Sequence, residues 1–258
     1  MALEPSTNLR ALRQQIILVT AESGEGHAPS SLSVLDLIYV LHKVVMQPQD
    51  KFVLSKGHAA LGLYVVLVAL GRMPPTALEE FCADDDPELV GHPERCPGWG
   101  IEATTGSLGH GIGLAAGLAL AERISGRNGR VFCVIGDGEA EEGEVWSTAA
   151  IAARQKLNNL IVLVDANGTS PNRIDGIRHA TSLCEKFRAF GFFISRINGH
   201  DHPSIRRSVA PTGGDQPYAI ICDTQKGHGV PLMESEPQVW HHRAIGFSEL
   251  HTMLESVQ

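Results

Sequence analysis

Between residues 131 and 168 the chain reads Val131-Phe-Cys-Val-Ile-Gly-Asp137-Gly138, then a helix-length segment, then Leu160-Ile-Val-Leu-Val-Asp-Ala-Asn167-Gly168. Two apolar runs separated in this way predict a βαβ unit, whose two strands are parallel. Asp137 and Asn167 each come just after one of these strands. Both side chains should therefore lie at the carboxyl edge of the sheet, where open α/β sheets bind ligands.

The residue types at this edge suit a cation together with an anion. Neighbouring strands lie roughly 4.8 Å apart, so the oxygens of Asp137 and Asn167 could share one hard cation. Mg²⁺ prefers a few protein oxygens and keeps its other positions for phosphate and water. The glycines on either side of Asp137 let backbone amides approach an anion closely. The alternative is a plain turn in which Asp137 caps the next helix, but the βαβ spacing to Asn167 favours the binding site.

Composition excludes several classes of protein. With 43% apolar and 19% charged residues, the chain should be globular rather than disordered. A net charge of −8 argues against nucleic acid as a main partner. The five cysteines are scattered without metal-ligand spacing, which indicates buried thiols in a reducing compartment, the cytoplasm. The apolar run 61–70 is too short to span a bilayer, so no membrane is expected.

The rest of the pattern predicts an α/β fold with a doubly wound, mostly parallel sheet and helices on both faces. Residues 1–258 should form one domain, with an irregular coil and a helix at about 225–258. Further strands are predicted at 52–54, 192–197 and 218–223. Helices are predicted at 8–22, 31–45, 59–70, 76–81, 106–124, 181–189, 204–210 and 247–256.

Two other features indicate a binding cleft. The predicted helix at 106–124 is rich in glycine and alanine over its first turns, and glycine is costly inside a helix. A ligand or another backbone should therefore approach it closely. In addition, five histidines lie beside or near glycine or proline in predicted loops: His27, His58, His92, His228 and His241. A single loop histidine is usually just exposed, but a converging set can bind anions or move protons.

These segments resemble the transketolase family. Gly136-Asp-Gly through Asn167 resembles the thiamine diphosphate motif. Six more stretches resemble family segments in family order, and the resemblance covers the chain from about residue 10 to 245. They are His27-Ala-Pro-Ser-Ser-Leu-Ser, Phe52-Val-Leu-Ser-Lys-Gly-His58, Gly91-His-Pro-Glu94, Thr104-Thr-Gly-Ser-Leu-Gly-His-Gly111, Ile197-Asn-Gly-His-Asp201, and Lys226-Gly-His-Gly-Val230 with Trp240-His241.

The resemblance implies a role for each matching residue. Asp137, Asn167 and the Thr169 carbonyl would bind Mg²⁺, or Ca²⁺ or Mn²⁺ in its place. Thiamine diphosphate would be contacted by Asn167 and, at its diphosphate, by His58, Gly138 and His241, with the Gly106-Ser107-Leu108 backbone at its aminopyrimidine. His27, His92 and His241 would be catalytic, and Glu142 would lie at a subunit interface. Lys56, His110 and His242 depart from the family pattern, which has Asn, Gln and Gly there.

The family also implies a partner. A full transketolase has a pyrimidine-binding domain that activates the cofactor, and the resemblance here ends before it. The chain is therefore expected to be the N-terminal subunit of a split transketolase. It would work with a separate C-terminal subunit in an α2β2 assembly. It would transfer a two-carbon ketol unit from a ketose to an aldose, free or phosphorylated.

Three alternatives remain. The chain could belong to another thiamine diphosphate enzyme, such as a 2-oxo acid dehydrogenase α subunit or a deoxyxylulose phosphate synthase. It could also be a non-catalytic assembly partner. A nicotinamide-binding fold is disfavoured because no GxGxxG follows the first strand of a βαβ unit with an acidic residue about 20 positions on.

Overall fold

A parallel sheet of five strands organises the computed structural model, which describes residues 5–83, 89–168, 176–210 and 213–258. The sheet order is β1-β2-β3-β5-β4, and all four strand pairs are parallel. The strands are Lys51–Leu54 (β1), Val131–Gly136 (β2), Leu160–Ala166 (β3), Phe193–Asn198 (β4) and Tyr218–Asp223 (β5). The predicted βαβ unit is confirmed, because β2 and β3 are adjacent and Gly136 pairs with Asp165.

Helices cover both faces of the sheet. They are α1 Pro5–Ser23, α2 Ala28–Val40, α3 Ala60–Ala69, α4 Thr76–Glu79, α5 His110–Ile124, α6 Gly143–Arg154, α7 Gly176–Ala189, α8 His202–Ser208, α9 Pro231–Ser235 and α10 Phe247–Ser256. Successive side chains of a strand point to opposite faces. Phe132 and Val134 accordingly pack in a core with residues of α1, α2 and α3, whereas Cys133 and Ile135 pack in a second core with residues of α5 and α6. The predicted α/β architecture is confirmed.

The helical stretch 28–45 is the one candidate membrane span among the described residues. By length and composition it could cross a membrane, but most of it is buried inside the protein. Its first part is α2, all of whose residues are buried, and its last five residues, Leu41–Val45, form a π-helical turn. A largely apolar helix is expected where a helix lies within a core, although this one also buries the carboxylate of Asp36.

Several predicted element boundaries are wrong: α2 begins at Ala28 instead of residue 31, and α7 begins at Gly176 instead of residue 181. The helix predicted at 106–124 begins at His110, because Gly109 has a φ of +83° and ends the irregular stretch before it. That left-handed conformation is open to glycine and costly for other residues. The coil predicted from about residue 225 contains the short helix α9, which has a proline in its first turn. A proline there loses no hydrogen bond.

Gly111 explains part of the glycine-rich pattern, because α5 crosses the end of β1 at this residue. A Cβ placed on Gly111 would lie 2.6 Å from the Ser55 Cα atom. A Cβ on Gly117 of the same helix would meet nothing within 4 Å. The close approach expected from the sequence is therefore a contact with another backbone at Gly111, and Gly117 has no such reason to be glycine within this chain.

Alanine substitutions at these two glycines should have opposite effects. Gly111→Ala should lower the free energy of unfolding by about 1–3 kcal/mol, the usual cost of overpacking. Gly117→Ala should raise it by up to about 1 kcal/mol, because alanine is the better helix former. Urea unfolding of both variants measures the difference. Equal effects would contradict the close contact at Ser55.

Candidate active site

Asp137 and Asn167 lie side by side at the carboxyl edge of the sheet, as predicted. The Asp137 carboxylate is buried and accepts hydrogen bonds from the amides of Gly138 and Gly168, both at 2.9 Å. Burial, and then the nearby Asp165 charge, raise the pKa of Asp137 above its usual value. A buried carboxylate in this condition is stabilised by a cation. The Asn167 amide nitrogen donates to Asp165 Oδ2 at 2.8 Å, so its oxygen is the atom that can coordinate metal.

A buried ion pair supports this edge from below. Lys56 Nζ lies 2.5 Å from Asp165 Oδ2, and the two side chains are 2% and 0% exposed. The Ser33 hydroxyl also donates to Asp165 Oδ2, at 2.8 Å. The Thr224 hydroxyl donates to the other oxygen of the same carboxylate. Burial alone would raise the pKa of Asp165, but the Lys56 charge and these hydrogen bonds outweigh it and lower the pKa. Asp165 is thus a charged anchor for the amide of Asn167.

Four of the five predicted histidines converge. The ring of His27 lies 5.3 Å from that of His58, 6.4 Å from that of His92 and 5.2 Å from that of His241, measured between centroids. All four line a cavity of about 390 Å³, together with Asp137 and Asn167. His228 does not join them. It stacks on His200 with 3.6 Å between ring centroids.

The converging imidazoles are neutral near pH 7. Burial, followed by electrostatic repulsion between the His27 ring and the neighbouring His242 and His241 rings on protonation, lowers the pKa of His27 to about 3. Burial and then Lys226 lower the pKa of His241 to about 4. The pKa of His58 also falls well below its usual value, and that of His92 is lowered by burial. Neutral imidazoles can both donate and accept hydrogen bonds, as polyhydroxylated ligands require.

Lys226 is the first residue of the family-like stretch Lys226–Val230, and it lies inside the cavity. Its ammonium donates to His241 Nδ1 at 2.8 Å, and the residue is 6% exposed. Burial, and next the charge of Lys56, lower the pKa of Lys226 to about 8. Lys226 gives the floor of the cavity a positive charge, which suits an anionic ligand, whereas the charge of Lys56 is paired with that of Asp165.

Glu139 fixes the loop that forms the other wall. Its carboxylate accepts from the Gly109 amide at 2.9 Å, from the Gly136 amide at 3.0 Å and from the Ser55 hydroxyl. Gly106 packs beside the His92 ring, where an added Cβ would meet ring atoms at 3.5 Å. These bonds of Glu139 could not be predicted from the sequence, because the partners come from three separate segments.

The other predicted site residues have the following positions. Gly106, Leu108, Gly138 and Glu142 line the same cavity, with Glu142 exposed at the start of α6. Ser107 lies next to it, in an open groove that also contains His110. His242 lies at the rim, with its ring 4.5 Å from that of His27 and its Nε2 atom 3.3 Å from Glu25. Thr169 lies outside the described residues.

Comparison with known proteins shows the family of this chain. Residues 6–256 match the family described as transketolase, thiamine diphosphate binding domain. The chain belongs to the transketolase family. One of the subunits of the apulose-4-phosphate transketolase from Actinobacillus succinogenes is 33% identical over 263 residues, which cover 96% of this chain and 94% of that protein. A transketolase family protein of Sinorhizobium fredii is 34% identical over 90% of both chains.

Longer transketolases match over part of their length. Mouse transketolase is 33% identical over 91% of this chain, but only 39% of the mouse protein is covered. The solved transketolase from Leishmania mexicana superposes on 98% of this chain with a TM-score of 0.85 at 25% identity, covering 41% of that structure. The chain thus corresponds to the thiamine diphosphate-binding domain of transketolase and is a member of a transferase family, as the sequence motifs indicated.

Proposed function

We propose that this chain is the diphosphate-binding subunit of a two-component transketolase, with residues 1–258 forming one cofactor-binding domain. The observation that carries the proposal is the cavity itself. It combines a cation-binding edge, the partly buried ammonium of Lys226 and neutral imidazoles within about 390 Å³. Such a combination suits a phosphorylated cofactor beside a sugar. All five cysteines of the chain are free thiols, which supports a reducing compartment, and we propose the cytoplasm.

The residues present fit thiamine diphosphate and a divalent ion. Asp137 and Asn167 would hold Mg²⁺, or Ca²⁺ or Mn²⁺, with Thr169 as a third ligand. His58, His241 and the Gly138 amide would meet the diphosphate, and Gly106, Ser107 and Leu108 the aminopyrimidine. Oxygen ligands from a carboxylate and an amide are those that Mg²⁺ prefers. The raised pKa of the buried Asp137 supports a cation there.

When bound, thiamine diphosphate supplies the electron sink for breaking and making the bond next to a ketose carbonyl. The chain's part is orientation and proton transfer. His27 and His92 would hydrogen-bond sugar hydroxyls and move protons to and from them. His241 would do the same while contacting the diphosphate. The negative charge of the diphosphate would offset the repulsion by Lys226 and raise the pKa of His241 again.

The partner would carry the pyrimidine-binding domain, and the complex would be α2β2. Support comes from the Actinobacillus relative, whose name describes it as one subunit of an enzyme and which is matched over 94% of its length. Glu142 lies at the open rim of the cavity, where a second subunit could reach it, and we propose that it belongs to that interface. The substrates would be ketoses and aldoses, free or phosphorylated.

Reconstitution tests this function. The chain is co-expressed with a pyrimidine-domain protein encoded nearby and supplied with thiamine diphosphate and Mg²⁺. We expect the pair to transfer a two-carbon unit from a ketose to an aldose, and neither protein to do so alone. Turnover of pyruvate instead of ketoses would favour another thiamine diphosphate enzyme. Failure of the pair to bind the cofactor would favour a non-catalytic assembly partner.

Truncating the sugar-facing histidines should separate catalysis from cofactor binding. In the reconstituted pair, His92→Ala or His27→Ala should lower ketol transfer by about 10²–10⁴-fold, the usual contribution of a proton-transfer group. Cofactor affinity should remain nearly unchanged. His251→Ala is the matched control, because the His251 side chain is 78% exposed on α10. Equal losses of turnover and cofactor affinity would contradict the assigned roles.

A further inference from the structure

A buried carboxylate on α2, Asp36, is surrounded by hydrogen-bond donors outside the cavity. Asp36 is 2% exposed. Its carboxylate contacts His200 Nδ1 at 3.0 Å, His202 Nε2 at 2.8 Å and Arg13 Nη2 at 3.3 Å. Burial would raise the pKa of Asp36, but the hydrogen bonds from the two histidines and the Arg13 charge outweigh it and lower the pKa far below its usual value. Asp36 is therefore ionised and can only accept.

His200 extends this contact to the loop that carries Lys226. Because Asp36 only accepts, Nδ1 of His200 must carry the proton. Nε2 is then the acceptor, and the backbone amide of Gln225 donates to it at 2.9 Å. Both ring nitrogens are used, so the tautomer and the ring plane are fixed. The result is a direct link from α2 to the residue that precedes Lys226.

Other contacts also hold the loop around Lys226. Before it, the Thr224 amide donates to the Ala166 carbonyl at 3.3 Å, and the Thr224 hydroxyl donates to Asp165. After it, the Gly227 amide donates to the Pro29 carbonyl at 2.9 Å and the Gly229 amide to Glu234 at 2.8 Å. The bond from His200 differs from these because it reaches the amide of Gln225, the residue directly before Lys226. It therefore helps to set where the chain turns into the cavity.

A metal site is the alternative use of this cluster, since ligand atoms of Asp36, His200 and His228 lie within 4.8 Å of one another. Two contacts argue against it. Both ring nitrogens of His200 already have hydrogen-bond partners. The partner of Nε2 is the backbone amide of Gln225, which cannot rotate to make room for a metal ion. The Arg13 guanidinium also occupies the side of Asp36 that a cation would need. The cluster is better suited to positioning.

We propose that Asp36 and His200 are positioning residues for the active site: they fix the loop at Gln225 so that the Lys226 ammonium reaches His241. The link runs from Asp36 to His200, to the Gln225 amide, to Lys226 and then to His241 Nδ1. The geometric claim concerns the chain alone. Its catalytic consequence, an oriented His241 ring, rests on the proposed function.

The test follows the titration of the His241 ring by NMR in the full chain. Lys226→Met defines the full effect of the ammonium, and we expect the pKa of His241 to rise in this variant from its value of about 4. The asparagine of His200→Asn keeps a donor near Asp36, but its side chain is too short to bring an acceptor to the Gln225 amide. It should reproduce most of the rise seen with Lys226→Met.

Two further variants make the comparison specific. His202→Asn also removes a hydrogen bond to Asp36 but touches no residue of the loop, so the pKa of His241 should stay low. His200→Gln places an amide oxygen near the former Nε2 position and should restore much of the low pKa. The proposal is overturned if His200→Asn leaves the titration of His241 unchanged, or if His202→Asn shifts it equally.

The wild-type chain provides a second measurement in case His200→Asn does not fold. Long-range proton–nitrogen spectra should show His200 protonated at Nδ1 and unprotonated at Nε2. The opposite tautomer would overturn the link. In the reconstituted pair, His200→Asn should lower kcat more than it changes KM for the ketose. A wild-type pair without ketol transfer would reject the proposed function and leave the NMR result standing.

Discussion

Asp137→Asn should abolish the Mg²⁺-dependent binding of thiamine diphosphate by the reconstituted pair. The substitution keeps the size of the side chain but removes the charge that the cation requires. Even residues that only support metal ligands cost 10–100-fold in affinity, so loss of a ligand carboxylate should exceed about 100-fold. Calorimetric titration of the cofactor with and without Mg²⁺ measures the effect.

Asp223→Asn is the matched control for this experiment. Asp223 is also an aspartate at the carboxyl edge, at the end of β5, but it is half-exposed and its carboxylate pairs with Arg196 at 2.8 Å. Cofactor affinity should be unchanged in this variant. Normal Mg²⁺-dependent binding by Asp137→Asn would refute the metal site, whereas equal losses in both variants would mean that the whole edge responds to any change of charge.

Lys56→Met should be the most destabilising of the substitutions considered for the chain alone. It leaves the Asp165 carboxylate, which is 0% exposed, without its counter-ion. Removing one partner of a buried ion pair typically costs 3–5 kcal/mol because the other charge stays buried, and we expect about that loss in the free energy of unfolding. Urea unfolding at neutral pH without cofactor measures it.

Two further variants separate the pair from charge in general. Lys56→Met combined with Asp165→Asn should recover part of the loss, because no unpaired charge remains. Asp215→Asn breaks the contact between Asp215 and Lys156, whose side chains are 73% and 69% exposed, respectively. This variant should change the free energy of unfolding by less than about 1 kcal/mol. A small effect of Lys56→Met would show that water reaches Asp165 when the lysine is removed.

Much of the fold could be predicted because its signals are local. Apolar runs place β2, β3 and β5, and the last helix, Phe247–Ser256, begins and ends where predicted. The rule that parallel strands present their carboxyl ends at one edge then brings Asp137 and Asn167 together. Glycine- and proline-rich loops marked five histidines, four of which converge.

What the sequence could not predict depends on contacts between distant segments. Lys56 and Asp165 are 109 positions apart, and nothing near either residue marks the other. His228 lies in the same kind of loop as His241, yet its ring stacks on His200. The start of α5 depends on the conformation of Gly109, whose amide bonds to Glu139. Local patterns contain none of these pairings.

The wall of the cavity that bears His58 and Gly106 is joined through its backbone. The close contact between Gly111 and Ser55, and the hydrogen bond of 2.7 Å from Thr105 to the Leu54 carbonyl, tie this wall to the end of β1. A Cβ placed on Gly57 would lie 3.0 Å from the Thr105 carbonyl carbon, so the two stretches also touch each other. We therefore expect His58 and Gly106 to keep their spacing when a ligand enters, so that this wall is a fixed template for the ligand.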